Sequence, residues 1–377
     1  MEFPKHLLEK IEARKQKNAF RQLPSTNNLI DFASNDYLGF SGSAAIFNTT
    51  HRYLTDHKII QNGATGSRLL SGNHPLYKIA EDYIAAFHQA ETALIFNSGY
   101  NANTGFFSSV PQKGDLILYD ELCHASIRDG ILMSNAKAYK FRHNDFEHLE
   151  NLLIKNPGTT VYIVTESIFS MDGDTPNLEE LVMISSKYKG YLVIDEAHAL
   201  GVIGEKGQGL VQELQLQDHV FARIITFGKG LGCHGAAILG TQQLKEYLIN
   251  FCRSFIYTTG LSPHSIATIL TAYQHLENDT TALQKLKDNI LFFNQEKNLQ
   301  SLKPIFVQSK SAIQCAIIPG NEKVKAIANA LQHHGFDVKA ILSPTVPEGQ
   351  ERLRFCLHTY NTHEQLSAVL ACLSSIL

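Results

Sequence analysis

Lys229 stands among glycines in the fragment ITFGKGLG, directly after a short apolar run. A lysine held at the end of a buried strand loses hydration, which lowers its pKa and makes it a nucleophilic amine. On a solvated turn the same residue would be an ordinary surface cation, and local sequence leaves both readings open. Asp195 and His198 stand three residues apart in YLVIDEAHALG, where another apolar run ends. A carboxylate there can pair with a pyridinium nitrogen, or it can cap a helix. The tetrapeptide DEAH also spells a helicase box, which requires a G-x-x-x-x-G-K-[ST] phosphate loop elsewhere. Lys229 is followed by Gly230 and no such loop occurs, so that reading is discarded.

Ser98, Gly99 and Tyr100 join an apolar run to a helical stretch in IFNSGYNANTG. Backbone amides at such a helix start suit a phosphate group. His124, in LCHASIRDG, can stack on a cofactor ring or be a plain structural histidine. Gly63, Gly66 and Gly72 permit close backbone approach, but they do not spell G-x-G-x-x-G, so a dinucleotide fold is not supported.

These residues need elements to hold them. Apolar runs at 93–96, 116–119, 161–165, 191–194, 223–227 and 236–239 alternate with helical patterns at 75–88, 178–188 and 242–252. The alternation predicts an α/β domain around a mostly parallel sheet. Ligands bind beyond the carboxyl ends of such strands. The polar sets that follow the runs (98–100, 120–124, 166–170, Asp195 with His198, Thr226 with Lys229) therefore converge where a site belongs. A surface helix is predicted over 5–20, a polar turn over 24–28 and an extended piece over 29–33. Helical stretches at 265–276 and 281–297 lead to a small α+β region, with strands at 312–318 and 352–357 around a helix near 324–334. The expected domains are an N-terminal helix and extended segment (1–44), a large cofactor-binding domain (45–270) and a small C-terminal domain (271–377).

The bulk numbers narrow the function classes. Thirty-three basic against 36 acidic side chains give a net charge of −3, no electrostatic footprint for nucleic acid or an anionic membrane. The six cysteines contain no Cys-x-x-Cys pair, which argues against zinc ligation and a disulfide framework. No apolar run approaches the ~20 residues needed to span a bilayer, and a cytoplasmic protein is expected.

Taken together the fragments resemble the α-oxoamine synthases, a branch of the fold-type I pyridoxal-phosphate (PLP) enzymes. The matching stretches are FASNDYLGF (32–40), GSRLLSGNHPLYKIAE (66–81), FNSGYNAN (96–103), HASIRDG (124–130), TESIFSMDGD (165–174), IDEAHALGVIGEKGQG (194–209), TFGKGLG (226–232) and IYTTGLSP (256–263), with SPTVPEGQERLRF (343–355) beyond them. The resemblance implies PLP as cofactor, no metal, and decarboxylative condensation of an amino acid with an acyl-CoA. It implies that Lys229 binds the cofactor covalently, Asp195 holds the pyridine nitrogen, His198 bonds the ring hydroxyl and His124 stacks on the ring. Gly99, Tyr100, Ser170 and Thr226 would bind around the cofactor, and Thr258 or Thr259 would reach its phosphate across a homodimer interface. Arg354 would clamp the amino-acid carboxylate, Thr345 would contact substrate, and Arg21 would take the distal carboxylate of a pimeloyl chain. The spelling SNDYLG favours L-alanine with a pimeloyl thioester over glycine acetyltransfer, whose enzymes tend toward NNYLG. Arg21 can equally be read as one solvated charge among several on the N-terminal helix. A non-catalytic partner subunit would lack the lysine, and a plain aminotransferase would release no CoA.

Overall fold

The computed structural model describes residues 3–23 and 28–377; most of the predicted 24–28 turn (24–27) lies outside them. The chain divides into two compact units. One comprises 35–170 and 175–285, the other 1–34, 171–174 and 286–377.

The larger unit is built on a seven-stranded sheet: β1 (Thr92–Phe96), β2 (Leu116–Asp120), β3 (Lys137–Phe141), β4 (Val161–Glu166), β5 (Tyr191–Asp195), β6 (Ala222–Thr226) and β7 (Ala236–Gly240). Its spatial order is β1-β7-β6-β5-β4-β2-β3. Strand β7 runs antiparallel to both its neighbours, and the remaining pairs are parallel. The mostly parallel sheet is the α/β architecture expected from the alternation of apolar runs and helical stretches. Six strands fall on the apolar runs read from sequence; β3 does not. Its residues KAYKF include two lysines and only Phe141 is buried, as suits a strand at the edge of the sheet.

Alternate residues of the central strands pack into two different cores. Ile117, Val164 and Val193 join one cluster with Phe106, Phe107 and Ile127. Leu118, Ile163, Leu192 and Ile194 join the other with Leu149 and Leu181. A sheet buried on both faces explains why β4 and β6 read as continuous apolar runs rather than alternating ones. Each fully buried Leu or Ile contributes about 1.5–3 kcal/mol, enough to hold the strand ends rigid. The register sets Glu166 beside Asp195 at the carboxyl ends of β4 and β5.

In the smaller unit, β8 (Ile313–Ile317), β9 (Lys339–Ile341) and β10 (Arg352–Cys356) form an antiparallel sheet with β10 in the middle. Helices Asn321–His333 and His363–Ile376 accompany it, the latter opened by a Thr362–Gln365 capping box. The N-terminal helix spans Lys5–Gln16, shorter than predicted, because Asn18 turns to a positive φ of 48°. Ile30–Asp31 pairs in parallel with Phe336–Asp337. Among the described residues no helix is long and apolar enough to cross a membrane.

Candidate active site

The carboxyl ends of β1, β2, β4, β5 and β6 surround a cavity of about 250 Å³ in the larger unit. Lys229, His198, Asp195 and His124 all line it, together with Gly99, Tyr100 and Thr226. Each side chain arrives from the last residue of a strand or the first few after it, where the backbone is fixed by the sheet and the side chain is free to face a ligand.

Lys229 Nζ lies 2.7 Å from His198 Nε2, and His198 Nδ1 lies 2.7 Å from the Tyr37 hydroxyl. Tyr37 donates its only proton to Asn35 Oδ1 at 3.1 Å. With that proton on Asn35, Tyr37 accepts from His198 Nδ1–H and the Nε2 lone pair accepts from Lys229. Tyr37 and His198 are buried and Lys229 is half-buried, so this string is fixed by packing at one end and open at the other. Gly230 beside the lysine is required by space: a Cβ there would sit 2.3 Å from the Leu200 carbonyl oxygen.

Asp195 is held by two donors, Asn103 Nδ2 on Oδ2 at 2.8 Å and the Ala197 amide on Oδ1 at 2.9 Å. Next to it Glu166 is 3% exposed and accepts the His124 backbone N–H at 2.5 Å. Burial, reinforced by the Asp195 charge, pushes the Glu166 carboxyl up to about 8. The His124 ring is exposed to the cavity, yet desolvation on its protein side lowers its pKa and favours the neutral ring.

Ser98 caps the helix Gly99–Ser109, accepting from the Asn101 amide at 3.1 Å. A Cβ on Gly99 would come within 2.5 Å of Thr226 Cγ2, so this glycine opens the corner between helix start and strand β6. Asn103 Oδ1 is buried with no hydrogen-bond partner, an acceptor left over in the cavity wall. An amine, a doubly held carboxylate, an exposed imidazole and a glycine-opened helix start suit a compact ring compound bearing a carbonyl, a basic ring nitrogen and an anionic arm.

The other sequence-picked residues lie elsewhere. Ser170 is buried in the larger unit and is not among the residues lining the cavity. Thr258 is half-buried; Thr259 is exposed, its backbone fixed by a bridge to Ser67 and a 2.6 Å bond from Asn97 Nδ2. In the smaller unit Arg21 donates to Thr345 Oγ1 at 3.4 Å, so two residues 324 positions apart meet on an exposed surface. Arg354 is 8% exposed on β10, with Nη1 3.0 Å from Cys356 Sγ. Tyr37, Asn103, Ser126 and Glu166 carry contacts that sequence reading did not assign, although each falls inside a motif it quoted.

A family model described as aminotransferase class I and II matches residues 27–371. An 8-amino-7-oxononanoate synthase from Emericella nidulans is 40% identical over 98% of this chain and 94% of its own. Among solved structures, the 8-amino-7-oxononanoate synthase of Francisella tularensis is 29% identical with a TM-score of 0.78, over 93% of this chain and 98% of that one. A high-resolution structure of SPT with PLP internal aldimine is 25% identical with a TM-score of 0.89, over 99% of this chain and 96% of that one.

Proposed function

Because the chain belongs to the class I and II aminotransferase family, as a PLP-dependent acyltransferase of the α-oxoamine synthase branch, we propose that it condenses L-alanine with a pimeloyl thioester. The products are 8-amino-7-oxononanoate, CoA and CO₂, and the reaction serves biotin synthesis. The observation that carries this reading is the 40% identity to a synthase of that name over nearly the full length.

The cavity's donor set fits the cofactor. Lys229 would hold it through Nζ, Asp195 through its ring nitrogen, His198 at its ring hydroxyl and the Gly99 helix start at its phosphate. Bound PLP supplies an electron sink for bond breaking at the amino acid's α-carbon. Once the amino acid's nitrogen has replaced it on the cofactor, Lys229 Nζ is a free amine that would take the α-proton and later return it, with His198 Nε2 as its neighbour at 2.7 Å. Tyr37 orients that imidazole through Nδ1, and Asn103 with the Ala197 amide keeps the Asp195 carboxylate from turning away. Gly99, Tyr100 and Thr226 are assigned to the surroundings of the cofactor, and His124 to its ring face.

Arg354 is assigned to the amino acid's carboxylate and the Arg21–Thr345 pair to the acyl substrate. Arg21→Ala should raise KM for pimeloyl-CoA about tenfold, the worth of one charge-assisted hydrogen bond, while KM for alanine stays put. An unchanged pimeloyl KM would return Arg21 to the solvated charges of the N-terminal segment. The chain is assigned a homodimer in which Thr258 or Thr259 completes the partner's site, and a cytoplasmic location; light scattering checks the first.

The deciding experiment measures CoA release with alanine, glycine and serine, each against pimeloyl-, acetyl- and palmitoyl-CoA. Alanine with pimeloyl-CoA should give the highest kcat/KM. Glycine with acetyl-CoA or serine with palmitoyl-CoA in first place would keep the chemistry and overturn the substrate assignment.

A further inference from the structure

Four side chains from three segments form one hydrogen-bonded string lining the cavity. Asp195 Oδ2 accepts from Asn103 Nδ2 at 2.8 Å, the same nitrogen donates to Ser126 Oγ at 3.0 Å, and Ser126 Oγ lies 2.7 Å from His124 Nδ1. Counting protons fixes the direction of every link. The Asn103 amide cannot be turned round, because its oxygen would then face the Asp195 carboxylate with no proton between them. Ser126 Oγ accepts from Asn103 and keeps one proton to give, and its direction toward His124 Nδ1 is set by the backbone N–H that points at the same nitrogen. The Ser126 backbone N–H points at the same Nδ1 from 3.2 Å. A ring nitrogen that receives two donors carries no proton, so the His124 proton sits on Nε2.

Asn103 and Ser126 are 2% and 1% exposed, so water does not substitute for either link. The charged groups around the ring agree with the neutral form: burial, Lys229 and Arg128 lower its pKa against the opposing pull of Asp195 and Asp129.

We propose that Asn103 and Ser126 are positioning residues that tie Asp195 to His124 and set that ring's tautomer, so that His124 offers the cavity an Nε2–H donor. What that donor meets rests on the function proposed above; the tautomer is a property of the chain alone. The string also means that the group assigned to the cofactor's ring nitrogen and the group assigned to its ring face share one hydrogen-bonded support.

The test is ¹⁵N-histidine NMR of the protein before and after addition of PLP, in which multiple-bond spectra read which ring nitrogen bears the proton. His124→Gln identifies the His124 signals. The wild type should show His124 protonated on Nε2, Ser126→Ala should populate both tautomers, and Ser126→Thr should restore the single form. Asn103→Leu strips Asp195 of a buried donor and should raise the PLP dissociation constant about 10- to 100-fold, read from cofactor absorbance. An Nδ1–H tautomer in the wild type, or the same spectrum in Ser126→Ala, would overturn the proposal. The wild-type spectrum needs no variant to fold. A chain that shows Nε2–H but binds no PLP supports the string and overturns the cofactor's placement in this cavity; PLP bound with Nδ1–H overturns the string alone.

Discussion

Replacing Glu166 with glutamine isolates the electrostatics of the site as a stability measurement. In the folded chain the Glu166 carboxyl is 3% exposed, and burial with the Asp195 charge raises its pKa from 4.5 to about 8, opposed by Lys229 and the His124 N–H. An acid whose pKa is higher when folded binds more protons folded than unfolded, so stability falls as pH rises between the two values. The protonated group's contribution is complete below about pH 4.5 and gone above about pH 8. Each pH unit within the window is worth at most about 1.4 kcal/mol, so moving from pH 6 to pH 8 removes up to about 3 kcal/mol. With ~2.1 cal/mol/K of unfolding entropy for each of 377 residues, that is a shift in Tm of about 4 °C.

The substituted glutamine cannot titrate, and its side-chain oxygen can still accept the His124 N–H. The difference in Tm between Glu166→Gln and the wild type should therefore move in the variant's favour, by at most about 4 °C, between pH 6 and pH 8. The assay is scanning calorimetry of cofactor-free protein at constant ionic strength. Because Asp195 is part of the cause, repeating the pair in an Asp195→Asn background should shrink the pH-dependent difference. A difference that stays flat with pH, or moves toward the wild type, would refute the buried-acid argument.

Three further outcomes follow from other contacts. Lys229→Ala should abolish the cofactor's absorbance band and lower turnover at least about 10³-fold with an unchanged far-UV circular dichroism spectrum; substantial residual turnover would remove the lysine from its role. Gly99→Ala drives a Cβ to 2.5 Å from Thr226 Cγ2, costing about 1–3 kcal/mol, and PLP affinity should recover in the double variant with Thr226→Ser, which deletes that methyl. Lys297 is 4% exposed, donates to Gln314 Oε1 at 2.6 Å, and is lowered to about 8 by burial. A base lowered on folding is penalised while protonated, so urea unfolding should show the wild type gaining stability from pH 8 to pH 10 relative to Lys297→Met; parallel pH curves would contradict this.

What sequence reading reached and what it missed have one physical division. Burial on both faces makes the central strands continuous apolar runs, and chemistry at their carboxyl ends falls within a few residues of each run. That is why Asp195, His198 and Lys229 could be picked out together and why they line one cavity. Strand β3 carries only one buried residue, so it left no such run to find. Some of the contacts that orient the site are local, as between Ser126 and His124, but others have no local spacing. Tyr37 reaches His198 across 161 residues and Asn103 reaches Asp195 across 92, distances that only the folded sheet closes. Ser170 marks the converse case: a polar residue just past a strand end, read as cofactor-binding, that the fold buries outside the cavity lining. A strand's end tells where a side chain starts, and the packing behind it decides which way it faces. The residues that aim the chemistry, Tyr37, Asn103, Ser126 and Glu166, therefore belong to the tertiary structure even though each was in view in a motif.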